Sequence, residues 1–107
     1  MELDISTEQL GNVCEIKLNG EIDVYTAPRL KEEIVALIDS GCSNVIVDLE
    51  KVAFIDSSGL GVLAGTTKRA GAVRIVCTRE NILKIFRITG LDKVFPIFSD
   101  ASEARLF

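Results

Sequence analysis

The sequence contains no histidine. That absence removes Ser-His-Asp and Cys-His catalysis, His-ligated zinc and haem, and histidine pH switching in one step. Any chemistry would fall to carboxylates, Lys, Arg, Ser or Cys. Cysteine is sparse and odd in number, at Cys14, Cys42 and Cys77, and no CxxC occurs. Three thiols without histidine do not make a standard zinc site, so neither a metal nor a cofactor is expected. Cys14 and Cys77 lie in apolar stretches and read as small core residues. No apolar run approaches the roughly 18 residues of a membrane span. The start, Met1-Glu2-Leu3-Asp4, lacks the basic and apolar regions of a signal peptide. A reducing cytoplasm is the expected compartment.

What is present describes an ordinary globular α/β domain. The chain has 107 residues, 48% of them hydrophobic and 26% charged, which suits one domain over residues 1–107. Twelve basic and 16 acidic side chains leave a net charge of −4, so affinity for nucleic acid or an anionic membrane is not expected. Charge is uneven along the chain. Residues 1–54 carry 4 basic and 11 acidic side chains, a net of −7, whereas residues 55–107 carry 8 and 5, a net of +3. Such polarity suits steered association with a protein.

Local patterns give the order of elements. Leu3 to Glu8 and Val13 to Asn19 alternate as two strands around a turn at Gln9-Leu10-Gly11-Asn12, which predicts an antiparallel hairpin that Gly20 ends. On the second strand Cys14, Ile16 and Leu18 point one way and Glu15 and Lys17 the other. Thr26 is the expected N-cap of a helix with Pro28 in its first turn and Leu30, Ile34, Leu37 and Ile38 on its apolar face; Gly41 closes it. Val45 to Leu49 reads as a buried strand, with Phe54-Ile55 ending the connection behind it. A second helix should run from the serines after Asp56 to about Ala70. Val73 to Cys77 is a strand, Glu80 to Thr89 a helix stopped by Gly90, and Val94 to Phe98 an edge strand marked by Pro96. Asp100 to Glu103 has capping-box spacing and opens a last short helix. The expected architecture is a small mixed β-sheet in the order ββαβαβαβα, with the hairpin antiparallel and the later strands parallel.

One segment concentrates chemistry: Phe54-Ile55-Asp56-Ser57-Ser58-Gly59-Leu60-Gly61, just behind a strand and opening a helix. Its bland reading is local structure, with Ser57 or Ser58 capping the helix and the glycines allowing a tight turn. A nucleotide site is a second reading, since Gly59-x-Gly61-x-x-x-Gly65 loosely imitates a dinucleotide fingerprint. The acidic ribose ligand expected about 20 residues on is missing, and there is no GK[ST] loop. A third reading makes a serine the acceptor of a phosphoryl group. The roughly −1.5 to −2 charges of a phosphate are tolerated at a helix N-terminus, and a docked partner would meet a new dianion. Nucleophilic catalysis at Ser57 has neither a base nor a G-x-S-x-G context.

Three blocks resemble the anti-sigma factor antagonists of bacteria, the STAS-domain family. They are Gly20-Glu21-Ile22-Asp23-Val24-Tyr25-Thr26-Ala27-Pro28, Val47-Asp48-Leu49 through Phe54-Ile55-Asp56-Ser57-Ser58-Gly59-Leu60-Gly61-Val62-Leu63, and Ile82 through Phe95. The resemblance implies a STAS-like fold and a partner that is both anti-sigma factor and serine kinase. The unmodified protein would bind it and free the sigma factor. Phosphorylation at Ser57 would end binding, and a PP2C-type phosphatase would restore it. The implied docking surface comprises Glu21, Asp23, Tyr25, Thr26, Asp56, Ser57, Ser58, Gly59, Leu60 and Gly61, with Ser58 as the neighbouring cap. No catalytic residue, nucleic acid, membrane or small-molecule substrate is implied. Between Leu63 and Val73 the chain runs shorter than is usual for the family. A scaffold component or an accessory subunit of a transport system is the alternative role, which a transporter gene as genomic neighbour would favour.

Overall fold

The computed structural model describes residues 2–107; Met1, where the expected domain begins, lies outside the described residues. Strands β1 (Leu3–Leu10) and β2 (Val13–Ile22) form the antiparallel hairpin, and Gly11 supplies the positive φ of its two-residue turn. They are followed by α1 (Ala27–Asp39), β3 (Asn44–Ile55), α2 (Ser57–Thr66), β4 (Ala72–Val76) and α3 (Glu80–Thr89). A 3-10 turn (Leu91–Lys93), β5 (Ile97–Phe98) and α4 (Ala101–Leu106) complete the chain. The sheet runs β1-β2-β3-β4-β5, and every pair after the hairpin is parallel. The expected order of strands and helices is the observed one.

Each crossover steps the same way across the sheet, so right-handed connections put α1, α2 and α3 on one face. There Leu30 and Ile34 of α1, Leu63 of α2, and Ile82 and Phe86 of α3 bury against Ile16, Val47 and Ile75 of the strands. Each such side chain contributes roughly 1.5–3 kcal/mol of apolar burial. Phe86 meets Phe95 edge-on at 6.2 Å, which anchors the segment after α3. The second face is closed only in part. Ala104 of α4 packs on Ile46 and Val76, and α4 is held by Arg105, whose guanidinium makes a two-pronged ion pair with Glu15.

That pair corrects the reading of β2. Alternation put Glu15 in solvent, but β2 is an interior strand and Arg105 reaches across from α4 to its carboxylate, so Glu15 is buried. The Arg105 hydrogen bonds hold its carboxyl below the usual carboxylate range. Cys14 is a core residue as expected, and it is also joined to Cys42 in a disulfide across 28 positions, a partnership the sequence reading did not find. Cys77 is a buried free thiol whose pKa burial pushes up.

Other boundaries shift for local reasons. Gly20 does not end β2; it stands opposite the start of a bulge in β3, at φ 129°, and a Cβ there would lie 2.2 Å from the Glu2 carbonyl oxygen. β3 continues through Phe54-Ile55, because β2 runs on beside it to Ile22. α2 is shorter than expected, ending at Thr66, with single turns carrying the chain on to Ala70. β5 keeps only Ile97–Phe98 of the strand expected from Val94, since the 3-10 turn and Pro96 occupy the approach.

Candidate functional site

Extra residues in β3, one opposite Lys17–Asn19 and one opposite Gly20–Glu21, shift its register against β2, so that Glu21 faces Phe54 and Ile22 faces Ile55. The Asp56 N–H then donates to the Ile22 carbonyl at 3.1 Å. Two strand ends and the helices that follow them thus share one edge of the molecule. The residues of the first and second sequence blocks meet there.

At the end of β2, Asp23 is buried. Its Oδ1 accepts from the Tyr25 and Thr26 N–H groups at 2.9 and 3.0 Å. The Thr26 hydroxyl accepts from the Asp23 N–H at 2.9 Å and donates to the Glu21 carbonyl at 2.9 Å. Thr26 was expected to cap α1. It stands at the cap position, but its side chain makes no cap bond and closes this turn with Asp23 instead. The turn thrusts Val24 and Tyr25 outward, 61% and 81% exposed, beside Phe54 at 45%. Val24 and Phe54 were not among the ten expected contact residues; the missed signal was a large apolar side chain at or just past the end of each strand.

At the end of β3, Asp56 caps α2, accepting from the Ser58 N–H at 2.8 Å and the Gly59 N–H at 3.2 Å. This replaces the expected serine cap. An ionised carboxylate is the stronger acceptor at a helix N-terminus, and it satisfies two first-turn donors at once. Ser57 therefore occupies the first helical position with nothing to cap. It is exposed, and its hydroxyl enters none of the hydrogen bonds found among the described residues. Ser58 is half-buried, Leu60 packs partly into the core, and Gly61 is exposed.

Gly59 is buried for a steric reason. A Cβ there would come within 2.5 Å of Ile22 Cγ2 and 2.8 Å of Ile55 Cγ1. The bare backbone lets α2 sit directly on the strand ends. The glycine pattern thus serves packing at Gly59, and the N–H groups of Ser58 and Gly59, which a phosphate ligand would need, are engaged by Asp56. The site is acidic, with Glu21, Asp23 and Asp56 around the serines. Glu21 Oε2 is buried without a hydrogen-bond partner. No cluster of three or more His, Cys, Asp or Glu arranged to hold a metal occurs among the described residues. No helix there is long and apolar enough to cross a membrane.

All ten expected contact residues lie in these two turns and the start of α2. Asp23, Thr26 and Gly59 lie inside it as supports, whereas Tyr25, Ser57 and Gly61 are on its surface. Chemically, the surface offers the exposed Ser57 hydroxyl next to a carboxylate, with the half-buried Ser58 hydroxyl, likewise without a hydrogen bond among the described residues, beside it and exposed apolar side chains nearby.

Comparison with known proteins finds relatives of the whole fold. The STAS domain model matches residues 4–104. The chain is 35% identical over 101 residues to the anti-sigma-B factor antagonist of Bacillus subtilis (strain 168), covering 91% of this chain and 92% of that one. It is 37% identical to the anti-sigma-B factor antagonist of Staphylococcus aureus (strain NCTC 8325 / PS 47), with 91% and 94% covered. The crystal structure of an anti-sigma factor antagonist from Mycobacterium paratuberculosis superposes with a TM-score of 0.91 at 30% identity, covering 98% of this chain and 92% of that one.

Proposed function

This chain belongs to the STAS domain family, and from that premise we propose that it is an anti-sigma factor antagonist switched by phosphorylation of Ser57. In this reading residues 1–107 act as one STAS domain in the cytoplasm. Unmodified, the domain binds an anti-sigma factor that is also a serine kinase, and the sigma factor is released. The domain performs no catalysis; its part is to bind and to be modified.

The observation that carries this reading is the state of Ser57. Its hydroxyl is exposed at the first position of α2 and, among the described residues, is free of hydrogen bonds because Asp56 performs the capping. Its oxygen would attack the γ-phosphorus of ATP in the kinase site, losing its proton as ADP departs. The product places about −1.5 to −2 charges beside Asp56, on a surface that already carries Glu21. A docked partner would have to desolvate that dianion, so binding is lost without refolding of the domain. Tyr25, with Val24 and Phe54, supplies apolar contact. Glu21, Ser58, Leu60 and Gly61 shape the surface, and Asp23, Thr26 and Gly59 hold it in place. A PP2C-type phosphatase would return Ser57 to the hydroxyl.

The test is to purify the serine kinases of histidine-kinase-like ATPase fold from the source organism. Each is incubated with the chain, ATP and magnesium, and the product is mapped by mass spectrometry. A single phosphate on Ser57 is expected, and modification elsewhere would refute the assignment. Calorimetry with the kinase that binds should show wild type and Ser57→Ala alike, with Ser57→Asp weaker by about 100-fold. Equal affinity of the two variants would sink the electrostatic switch.

A further inference from the structure

We infer that the groove between α1 and α2 docks an acidic amphipathic helix of the partner protein, next to the serine turn; this rests on the reading that the chain binds an anti-sigma factor. The groove encloses about 330 Å³. Ile34 and Val35 of α1 form one wall, Val62 and Thr66 of α2 the other, and Gly61 and Gly65 lie between them. A Cβ added at either glycine would meet nothing within 4 Å, so this side of α2 is bare backbone open to solvent. The Thr66 hydroxyl donates to the Val62 carbonyl at 2.9 Å, so its proton is already used within α2. Backbone groups in the helices on both sides are already paired within them, so a strand would find no ladder to extend. A rounded apolar helix face fits such a surface, and α2 is about 15 Å long, enough for some three turns of an occupant.

Charge fixes the character of that helix. Lys31 and Arg69 line the groove, and no acidic residue does. Both are exposed, and neither enters an ion pair among the described residues. Two unpaired cations on one groove, in a chain of net charge −4, suit an occupant with carboxylates flanking its apolar stripe. Ser58 lines the same groove and also gives its N–H to Asp56. A helix seated here would therefore abut the turn that carries Ser57.

The probe is an acetylated, amidated 14-residue Ala/Leu helical peptide with glutamates at both ends, and a control with lysines in their place. The acidic peptide should shift the backbone amide resonances of Gly61, Gly65 and Thr66 in ¹⁵N-labelled chain. Lys31→Glu/Arg69→Glu should weaken it by about tenfold and should favour the lysine peptide. Equal binding of both peptides, shifts confined to the Val24–Tyr25 turn, or no shifts at all would overturn the inference. A second arm uses the kinase that binds wild type. Unchanged affinity of the double variant for it would overturn the groove assignment alone, whereas failure of every kinase to bind wild type would overturn the function proposed above.

Discussion

At the end of β2, Asp23 Oδ1 accepts from the N–H groups two and three residues on, at 2.9 and 3.0 Å; at the end of β3, Asp56 Oδ1 does the same at 2.8 and 3.2 Å. The two turns lie side by side on adjacent parallel strands. They differ at the third residue. In the first it is Thr26, whose hydroxyl returns a bond to the Asp23 N–H and closes the turn on itself. In the second it is Gly59, which has no side chain to return and instead admits Ile22 and Ile55. They also differ at the first residue, where one turn presents Val24 and the other Ser57. One construction thus serves two ends: a fixed apolar contact, and a hydroxyl left free for modification. The lesson is that a capping carboxylate decides whether a serine is structural or available.

The comparison can be broken by substitution, beginning where the effect is greatest. Gly59→Ala should destabilise the domain by about 2–3 kcal/mol in urea unfolding, because its methyl group would overlap two core isoleucines. A neutral result, as ordinary helix propensity would give, would remove the claim that close approach sets this turn. Asp23→Ala should cost about 2 kcal/mol, since it leaves the Tyr25 N–H and the buried Thr26 N–H without their carboxylate partner. Asp56→Ala should cost only about 1 kcal/mol, the usual loss of a helix cap. Equal costs would show that the closed and open turns are energetically the same. In that variant Ser57 or Ser58 is free to take over the cap, so phosphorylation of Ser57 should slow while folding persists.

Acid supplies the finest discrimination. Glu15 has its pKa lowered in the folded state by Arg105, so the stability it contributes is present above its ordinary value of 4.5. That stability is lost as pH falls through the depressed folded value. Arg105→Gln should flatten this acid limb of a stability–pH curve, and both aspartate variants should keep it. Loss of the limb in Asp56→Ala would mean that the caps and α4 are not independent.

Much of this was legible in the sequence because it rests on local rules. Alternation in β1 and β2, the apolar periodicity of α1 and α3, and Asp100 before α4 each carry their own signal within a few residues. The segment around Ser57 was equally visible, as an interrupted run of small residues between a strand and a helix. What escaped depends on neighbours distant in the chain. Glu15 is buried by a helix about ninety positions away, and Cys14 meets Cys42 only once α1 has folded back. Gly20 reads as a breaker until β3 is laid beside it and the strand proves to continue past a bulge in its neighbour. The identity of the α2 cap was a contest among three adjacent acceptors, and composition does not rank them. The carboxylate won, and this freed the residue that matters most.

The close seat of α2 on Ile22 and Ile55 has a consequence for a visiting enzyme. Between the sheet and the Ser57 hydroxyl there is only helical backbone and a glycine, which has no rotamer to adopt. The oxygen retains a single torsion of its own, χ1, while the rest of its position is inherited from the core. A kinase approaching this surface has almost no conformational search to make, because its target is presented at a fixed address.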